Sequence, residues 1–151
     1  MGTTLSVALV ADDTAYIASV GDSRVYWIEN GSITQITEDH SLVAKLVAAG
    51  KLTKEDARTH PKSNLLYRTI GTDETVKADT FHVTLNKGGT LLLCTDGLWG
   101  ELTDANIHQI CAGEKNPRTI GDRLVQAANE NGGKDNITVV VVKIERDAGC
   151  R

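Results

Sequence analysis

Three aspartates beside predicted strand ends are the residues of this chain best suited to bind a metal ion. Asp96 comes just after the apolar residues 91–94, and Asp135 stands just before the apolar residues 137–144. Asp22 lies in a Gly-Asp-Ser turn after another strand-like run. If the two apolar strands run antiparallel, the end of one lies beside the start of the other. We therefore expect Asp96 and Asp135 at one rim of a sheet, with Asp22 as a third carboxylate.

The chemistry of such a cluster follows from its charge. Carboxylates packed closely repel each other unless a proton or a cation joins them. Oxygen ligands without His or Cys favour Mg²⁺, Mn²⁺ or Ca²⁺. The acids are too dispersed for a calcium loop, so we favour a magnesium or manganese site whose bound water can act as a nucleophile. The alternative is that all three are turn aspartates, since Asp is a preferred turn residue.

The first part of the chain predicts short strands over residues 5–10, 14–20, 24–28 and 32–36. Asn30-Gly31 is the strongest hairpin turn, because both residues tolerate positive φ. With such short connections, we predict that the four strands form one antiparallel meander.

The middle of the chain, residues 41–72, predicts two short helices and a loop lying over the sheet edge. Ser41 can cap one helix, which Gly50 ends, and Thr53 can cap a second over residues 54–58. The segment contains few large apolar residues, so we expect it to be the most mobile part.

The last part returns to strands and adds a pair of helices. Strands are predicted over residues 76–85 and 91–94, and helices begin at Thr103 and at Asn116-Pro117. The final strand, residues 137–144, is almost wholly apolar, which favours a central strand buried on both faces. The predicted fold class is α+β, and residues 145–151 form a polar tail.

Composition narrows the classes of function. The chain has 151 residues, 40% hydrophobic and 24% charged, which fits one domain. A net charge of −4 argues against binding nucleic acid or an anionic membrane surface. Three widely spaced cysteines indicate reduced thiols and a cytoplasmic location.

Five sequence blocks, taken in order, resemble the motif set of the metal-dependent type 2C protein phosphatases, the PPM family, in bacterial form. The blocks are Gly2-Thr3-Thr4, Val20-Gly21-Asp22-Ser23-Arg24-Val25-Tyr26, Thr37-Glu38-Asp39-His40-Ser41, Cys94-Thr95-Asp96-Gly97-Leu98-Trp99 and Asp135-Asn136-Ile137-Thr138. The resemblance implies a phosphoserine/phosphothreonine hydrolase that uses two or three Mn²⁺ or Mg²⁺ ions on phosphoprotein substrates. It also implies an antiparallel β-sandwich flanked by helices.

The resemblance also implies roles for individual residues. Asp96 and Asp135 match ligands of the paired metal centre, and Asp22 matches the carboxylate that holds a third, weaker metal with Asp96. The segment 41–72 matches a mobile flap beside the substrate cleft.

Four further residues are expected near the substrate: Gly97, Asn136, Arg24 and His40. For Arg24 the favoured alternative is an ion pair with a neighbouring acid. For His40 the alternatives are a catalytic acid and a capping or surface hydrogen bond, of which the second is favoured.

Several family motifs have no counterpart in this sequence. The family's early Arg, its Asn-Glu-Asp type acidic run and its Asp-Gly-x-Gly-Gly motif are missing, so we expect a domain that is incomplete at its N-terminus. Half a metal cage cannot hold two ions at bridging distance or aim a water molecule. We therefore expect the isolated chain to be weak or inactive, and to associate with itself or with the missing N-terminal half. The alternative function is a non-catalytic binding or regulatory module.

Overall fold

Two antiparallel sheets and a layer of helices form the structure, a computed structural model that describes residues 1–29 and 31–145. The strands are β1 (Leu5–Ala11), β2 (Thr14–Val20), β3 (Arg24–Glu29), β4 (Ser32–Gln35), β5 (Asp79–Thr84), β6 (Thr90–Cys94) and β7 (Val139–Lys143). The helices are α1 (Leu42–Ala48), α2 (Lys54–Thr59), α3 (Asp96–Trp99), α4 (Asp104–Ala112) and α5 (Pro117–Glu130). One sheet has the order β1-β2-β5 and the other β4-β3-β6-β7.

The first four strands do not form one meander, so that prediction was wrong. Strand β2 pairs with β1 and β5, whereas β3 pairs with β4 and β6. The chain leaves the first sheet at Gly21, whose φ of 108° is a conformation that glycine adopts readily. A short connection can therefore join two strands of different sheets as well as two neighbours in one sheet.

Two apolar clusters hold the layers together. The first lies between the sheets and contains Ala15, Ile17, Val25, Trp27, Leu85 and Leu91. The second lies between the four-stranded sheet and the helices, and includes Tyr26, Leu92, Leu98, Leu102, Ile107, Ile120 and Leu124. Alternate residues of β3 and β6 thus face different cores, which explains why both strands are nearly continuous apolar runs.

The last strand is an edge strand in the part of the chain that the structure describes. Strand β7 pairs with β6 and stands at the end of the sheet order, and Val140 is 52% exposed. The prediction of a central strand buried on both faces was wrong, because apolar composition alone does not distinguish an edge strand that packs on a helix. Here α5 packs on β7, and Val139 and Val141 join the second cluster.

Helix starts were predicted correctly from their capping residues. Ser41, Thr53, Thr103 and Asn116 each accept a hydrogen bond from a backbone N–H in the first turn of the following helix. The single turn α3 was not predicted. The strand predicted over residues 76–85 is shorter, since β5 begins at Asp79.

Residues 41–72 include α1 and α2. An isolated bridge between Ser41 and Leu66 lies within the segment, and a second one between Thr3 and Ile70 joins it to the start of the chain. Its mobility stays a prediction. Of the predicted polar tail, Glu145 is exposed and residues 146–151 lie outside the described part. Within that part, none of the helices has the length and apolar character needed to cross a membrane.

Gly97 fits only because it lacks a side chain. A Cβ built at this position would lie 2.3 Å from the carbonyl oxygen of Asn136, a backbone atom. We expect Gly97→Ala to lower the free energy of unfolding by about 1–3 kcal/mol, because the clash forces the backbone apart.

Urea denaturation measures this effect, with Gly121→Ala as the matched control. A Cβ on Gly121, in the middle of α5, meets its nearest atom at 3.6 Å. That substitution should be neutral or stabilising, by up to about 1 kcal/mol from helix propensity. Equal stability of the two variants would show that the close approach at Gly97 is not a real constraint.

Candidate metal centre

The pairing of β6 with β7 brings Asp96 and Asp135 to the same end of the sheet, as expected from the sequence. Cys94 lies opposite Val139 in the antiparallel ladder. Beyond the ladder, the N–H of Thr95 donates to the carbonyl of Thr138 (3.1 Å), and the N–H of Thr138 donates to Thr95 Oγ1 (3.0 Å). The connection that bears Asp135 is therefore fixed beside the start of α3.

Asp96 is the first residue of α3, and Oδ1 of its carboxylate accepts the N–H of Gly97 at 3.0 Å. Its pKa is raised above the ordinary value, first by burial and then by the negative charge of Asp135. A carboxylate in the first turn of a helix is in a favourable place, yet desolvation and repulsion dominate here. The electrostatics thus place Asp135 close enough to Asp96 to affect its protonation.

Asp22 is buried in the crossing between β2 and β3. Burial raises the pKa of this carboxyl to about 6, and the charges of Asp96 and Asp39 add to the shift. The charge of Asp96 thus acts on Asp22, and the charge of Asp135 acts on Asp96. Such a set of oxygen donors fits a hard divalent cation in its chemistry, because a cation would relieve the repulsion.

The oxygen donors are suited to a divalent cation by type, but too few of them are arranged around one point. Within residues 1–29 and 31–145, no group of three or more His, Cys, Asp or Glu side chains is arranged to hold a metal ion. The three aspartates are linked pairwise through Asp96, and they do not converge on one point. The described residues thus do not by themselves assemble three ligands around one point.

Arg24 is bound to an acid, as the favoured alternative predicted. Its Nε and Nη2 donate to the carboxylate of Asp39 at 2.7–3.1 Å, and its Nη1 donates to the hydroxyl of Tyr26 at 3.0 Å. The guanidinium also stacks on Trp99, 3.7 Å from the ring centroid. Because these contacts occupy the guanidinium, this conformation does not present it to a phosphate.

His40 is 1% exposed, so the structure contradicts both a catalytic acid that touches substrate and a surface hydrogen bond. Its Nδ1 accepts the N–H of Gly21 at 3.0 Å, and its Nε2 lies 2.9 Å from Oδ2 of Asp79. The bond with His40 is the first cause of the lowered pKa of Asp79, which also accepts a hydrogen bond from Arg68. Capping of α1 falls to Ser41 instead.

Gly97 and Asn136 lie in contact between the two rim carboxylates, through the close approach described above. Asn136 is exposed, and its N–H donates to Oδ1 of Asp135 at 2.7 Å. Trp99 has a role that sequence reasoning missed, since its indole N–H donates to the backbone carbonyl of Asp22 at 3.0 Å. These two residues are 77 positions apart, and no local pattern reports such a contact.

Comparison with known proteins decides the family. Residues 46–145 match the family "Stage II sporulation protein E (SpoIIE)", and residues 1–45 match "Protein phosphatase 2C". The chain belongs to the PPM family of protein phosphatases. Together the two matches run from the first strand to the end of the described structure.

Relatives in this family are similar over nearly the whole chain. It is 44% identical over 147 residues to "Serine/threonine phosphatase stp" of Listeria monocytogenes, covering 97% of this chain and 58% of the relative. It is 40% identical to "Protein phosphatase PhpP" of Streptococcus pneumoniae, covering 98% of this chain and 61% of the relative.

A solved structure supports the type 2C phosphatase fold. The serine/threonine phosphatase Stp1 from Staphylococcus aureus superposes with a TM-score of 0.93 at 43% identity, covering 97% of this chain and 57% of that one. The predicted α+β β-sandwich with helices is therefore confirmed, and this PPM chain spans only part of the catalytic domain of its relatives.

The raised pKa of Asp22 predicts that this carboxylate destabilises the metal-free fold. In the folded chain it ionises near pH 6, and in the unfolded chain near pH 4. The destabilisation of the folded state by Asp22 is thus absent below about pH 4, grows between about pH 4 and pH 6, and is constant above that. We expect Asp22→Asn to raise the free energy of unfolding at pH 8 by about 1–2 kcal/mol, and to lose that advantage at pH 4.

Chemical denaturation at pH 4 and pH 8, with a chelator present, measures whether Asp22→Asn raises or lowers the free energy of unfolding. Asp122→Asn on the exposed face of α5 is the matched control and should be neutral at both. A less stable Asp22→Asn protein at pH 8 would mean that the folded chain benefits from this charge.

Proposed function

We propose that this chain takes part in the metal-dependent hydrolysis of phosphoserine and phosphothreonine in proteins. Asp96, Asp135 and Asp22 are the residues that would hold Mn²⁺ or Mg²⁺, with two or three ions in the complete centre. The observation that carries the proposal is the coupling of Asp96 to both other carboxylates in a chain of the PPM family. A related protein, PstP, has a structure described as "in complex with 2 Manganese ions".

The bound metal would activate a water molecule and offset the negative charge of the phosphate. The chain's own residues would do the rest of the work on this side of the site. The N–H of Gly97 orients the Asp96 carboxylate, and the threonine bonds at the end of β6 fix the segment of Asp135. We propose that Gly97 and Asn136 border the substrate, and that Arg24 and His40 act from behind it.

The cellular location and the partners of the protein are inferred from its net charge and its cysteines. Cys94 and Cys111 are free and buried, which supports a reducing, cytoplasmic location. The phosphatase relatives support phosphoprotein substrates, and the net charge of −4 argues against nucleic acid or an anionic membrane as a partner.

The first test is metal linkage. A ligand that binds the folded state alone raises the melting temperature, so millimolar Mn²⁺ should stabilise the chain. The increase should be lost in Asp96→Asn, which removes the carboxylate shared by both pairs, and kept in Asp122→Asn. A melting temperature that Mn²⁺ leaves unchanged would contradict the proposed site.

The second proposal is that the rest of a catalytic domain covers exposed apolar surface of this chain and completes the metal centre. The surface, here called the β1 face, consists of Leu5, Val7, Leu9 and Tyr16, each at least 47% exposed. Part of it is concave and continues to Phe81 and His82. Contiguous apolar surface of this kind marks an interaction site, and the chain covers 58% of its Listeria relative.

The second proposal is tested by combining this chain with the rest of a catalytic domain, produced as a separate polypeptide. The chain alone should hydrolyse p-nitrophenyl phosphate weakly or not at all, and should self-associate through the β1 face in sedimentation velocity. The segment of the Listeria relative that this chain does not cover is then added as a separate polypeptide. It should form a complex with the chain and give Mn²⁺-dependent hydrolysis. Leu9→Lys should abolish the complex, whereas Leu65→Lys, equally an exposed leucine, should not. Full activity of the pure chain alone would refute the incomplete site.

A further inference from the structure

The turn that bears Asp22 is tied to the first sheet at Ser23, whose carbonyl accepts the hydroxyl of Ser6 (3.0 Å), whereas Gly21 and Asp22 are bonded by other elements. It lies between β2 and β3, where the chain crosses from the three-stranded to the four-stranded sheet. Gly21 there has a positive φ, a conformation that glycine adopts readily. The position of the Asp22 carboxylate therefore depends on the contacts that hold the backbone of this turn.

His40 holds this turn on one side with a reciprocal pair of hydrogen bonds. Its backbone N–H donates to the carbonyl of Gly21 (2.9 Å), and the N–H of Gly21 donates to its Nδ1 (3.0 Å). Since Nδ1 accepts, the ring proton lies on Nε2, which faces the carboxylate of Asp79 at 2.9 Å. Arg68 donates to the other oxygen of Asp79 at 2.7 Å. The imidazole is thus locked in one tautomer and one orientation.

Trp99 holds the same turn on the other side. Its indole N–H donates to the carbonyl of Asp22 at 3.0 Å. Trp99 is the last residue of α3, the helix that begins with Asp96. The hydrogen bond therefore joins the segment of one carboxylate to the segment of the other, and it sets their separation.

The two supports are joined behind the turn. Arg24 stacks on Trp99 and makes a bidentate bond with Asp39, the residue next to His40. A buried histidine or tryptophan is usually satisfied by whatever polar group is near. Here Nδ1 of His40 and the indole N–H of the half-buried Trp99 bond to one dipeptide from two different elements, and that dipeptide carries a proposed metal ligand.

We propose that His40 and Trp99 are positioning residues that clamp the Gly21–Asp22 turn and fix the distance from Asp22 to Asp96. The proposal deepens the proposed function, on which it rests, because it takes Asp22 as a metal ligand. Neither residue touches metal or substrate. Their loss weakens metal binding at Asp22 and leaves binding at Asp135 unchanged.

The chain offers conservative variants for each contact. Trp99→Phe keeps the ring that stacks on Arg24 and removes the N–H. Trp27→Phe is its matched control, since the indole nitrogen of Trp27 is buried and has no hydrogen-bond partner among the described residues. His40→Asn retains an acceptor where Nδ1 stood, whereas His40→Gln loses it and keeps a donor toward Asp79.

Two NMR measurements on the 151-residue chain test the clamp. In the first, diamagnetic Mg²⁺ is titrated and the chemical-shift changes of the amide resonances of Asp22 and Asp135 are followed separately, because a shift change is local whereas broadening by Mn²⁺ would reach both residues. We expect Trp99→Phe and His40→Gln to raise the Mg²⁺ concentration for the half-maximal shift at Asp22 by about three- to tenfold, the worth of one hydrogen bond. His40→Asn and Trp27→Phe should remain near wild type, and Asp135 should respond equally in all variants.

The second measurement needs no metal. Amide hydrogen exchange at Gly21 should be about tenfold or more faster in His40→Gln than in His40→Asn, because only the glutamine variant leaves that N–H without its acceptor. A Mg²⁺-induced shift at Asp22 that is normal in Trp99→Phe and His40→Gln, with unchanged exchange at Gly21, would overturn the clamp. Absence of a Mg²⁺-induced shift at Asp22 in the wild type would overturn its metal role instead, and equal exchange in the two His40 variants would then also reject the clamp.

Discussion

Repulsion between carboxylates that the fold forces together is the constraint on which the rest of this structure depends. The antiparallel pairing of β6 and β7 puts Asp96 beside Asp135, and the crossing between the sheets adds Asp22. Each arrangement costs stability in the absence of a cation, since burial and like charge both disfavour ionised carboxylates. This cost supports the proposal that the carboxylates bind a cation, which would remove the repulsion.

The contacts around the carboxylates oppose this repulsion. The Thr95–Thr138 bonds, the close approach of Gly97 to Asn136, and the contacts of Trp99 and His40 all fix backbone close to an acid. Hydrogen bonds to the backbone oppose the outward movement that repulsion would otherwise drive. They hold one side of a site whose other ligands are proposed to come from the rest of the catalytic domain.

Local patterns in the sequence predicted the helix starts, most strands and the meeting of Asp96 with Asp135, because capping and strand alternation involve neighbouring residues. Features that depend on distant residues were not predictable in this way. The position of β7 at the edge, the crossing at Gly21 and the bond from Trp99 to Asp22 depend on which surfaces pack together. The site residues Arg24 and His40 were recognisable by type, but their buried partners decide what they do.

The most direct test of the account is anomalous diffraction from crystals of the chain soaked in Mn²⁺. The account predicts a manganese peak between the carboxylates of Asp96 and Asp135, and a weaker one between Asp96 and Asp22. Peaks confined to exposed carboxylates elsewhere, with neither position occupied, would contradict it.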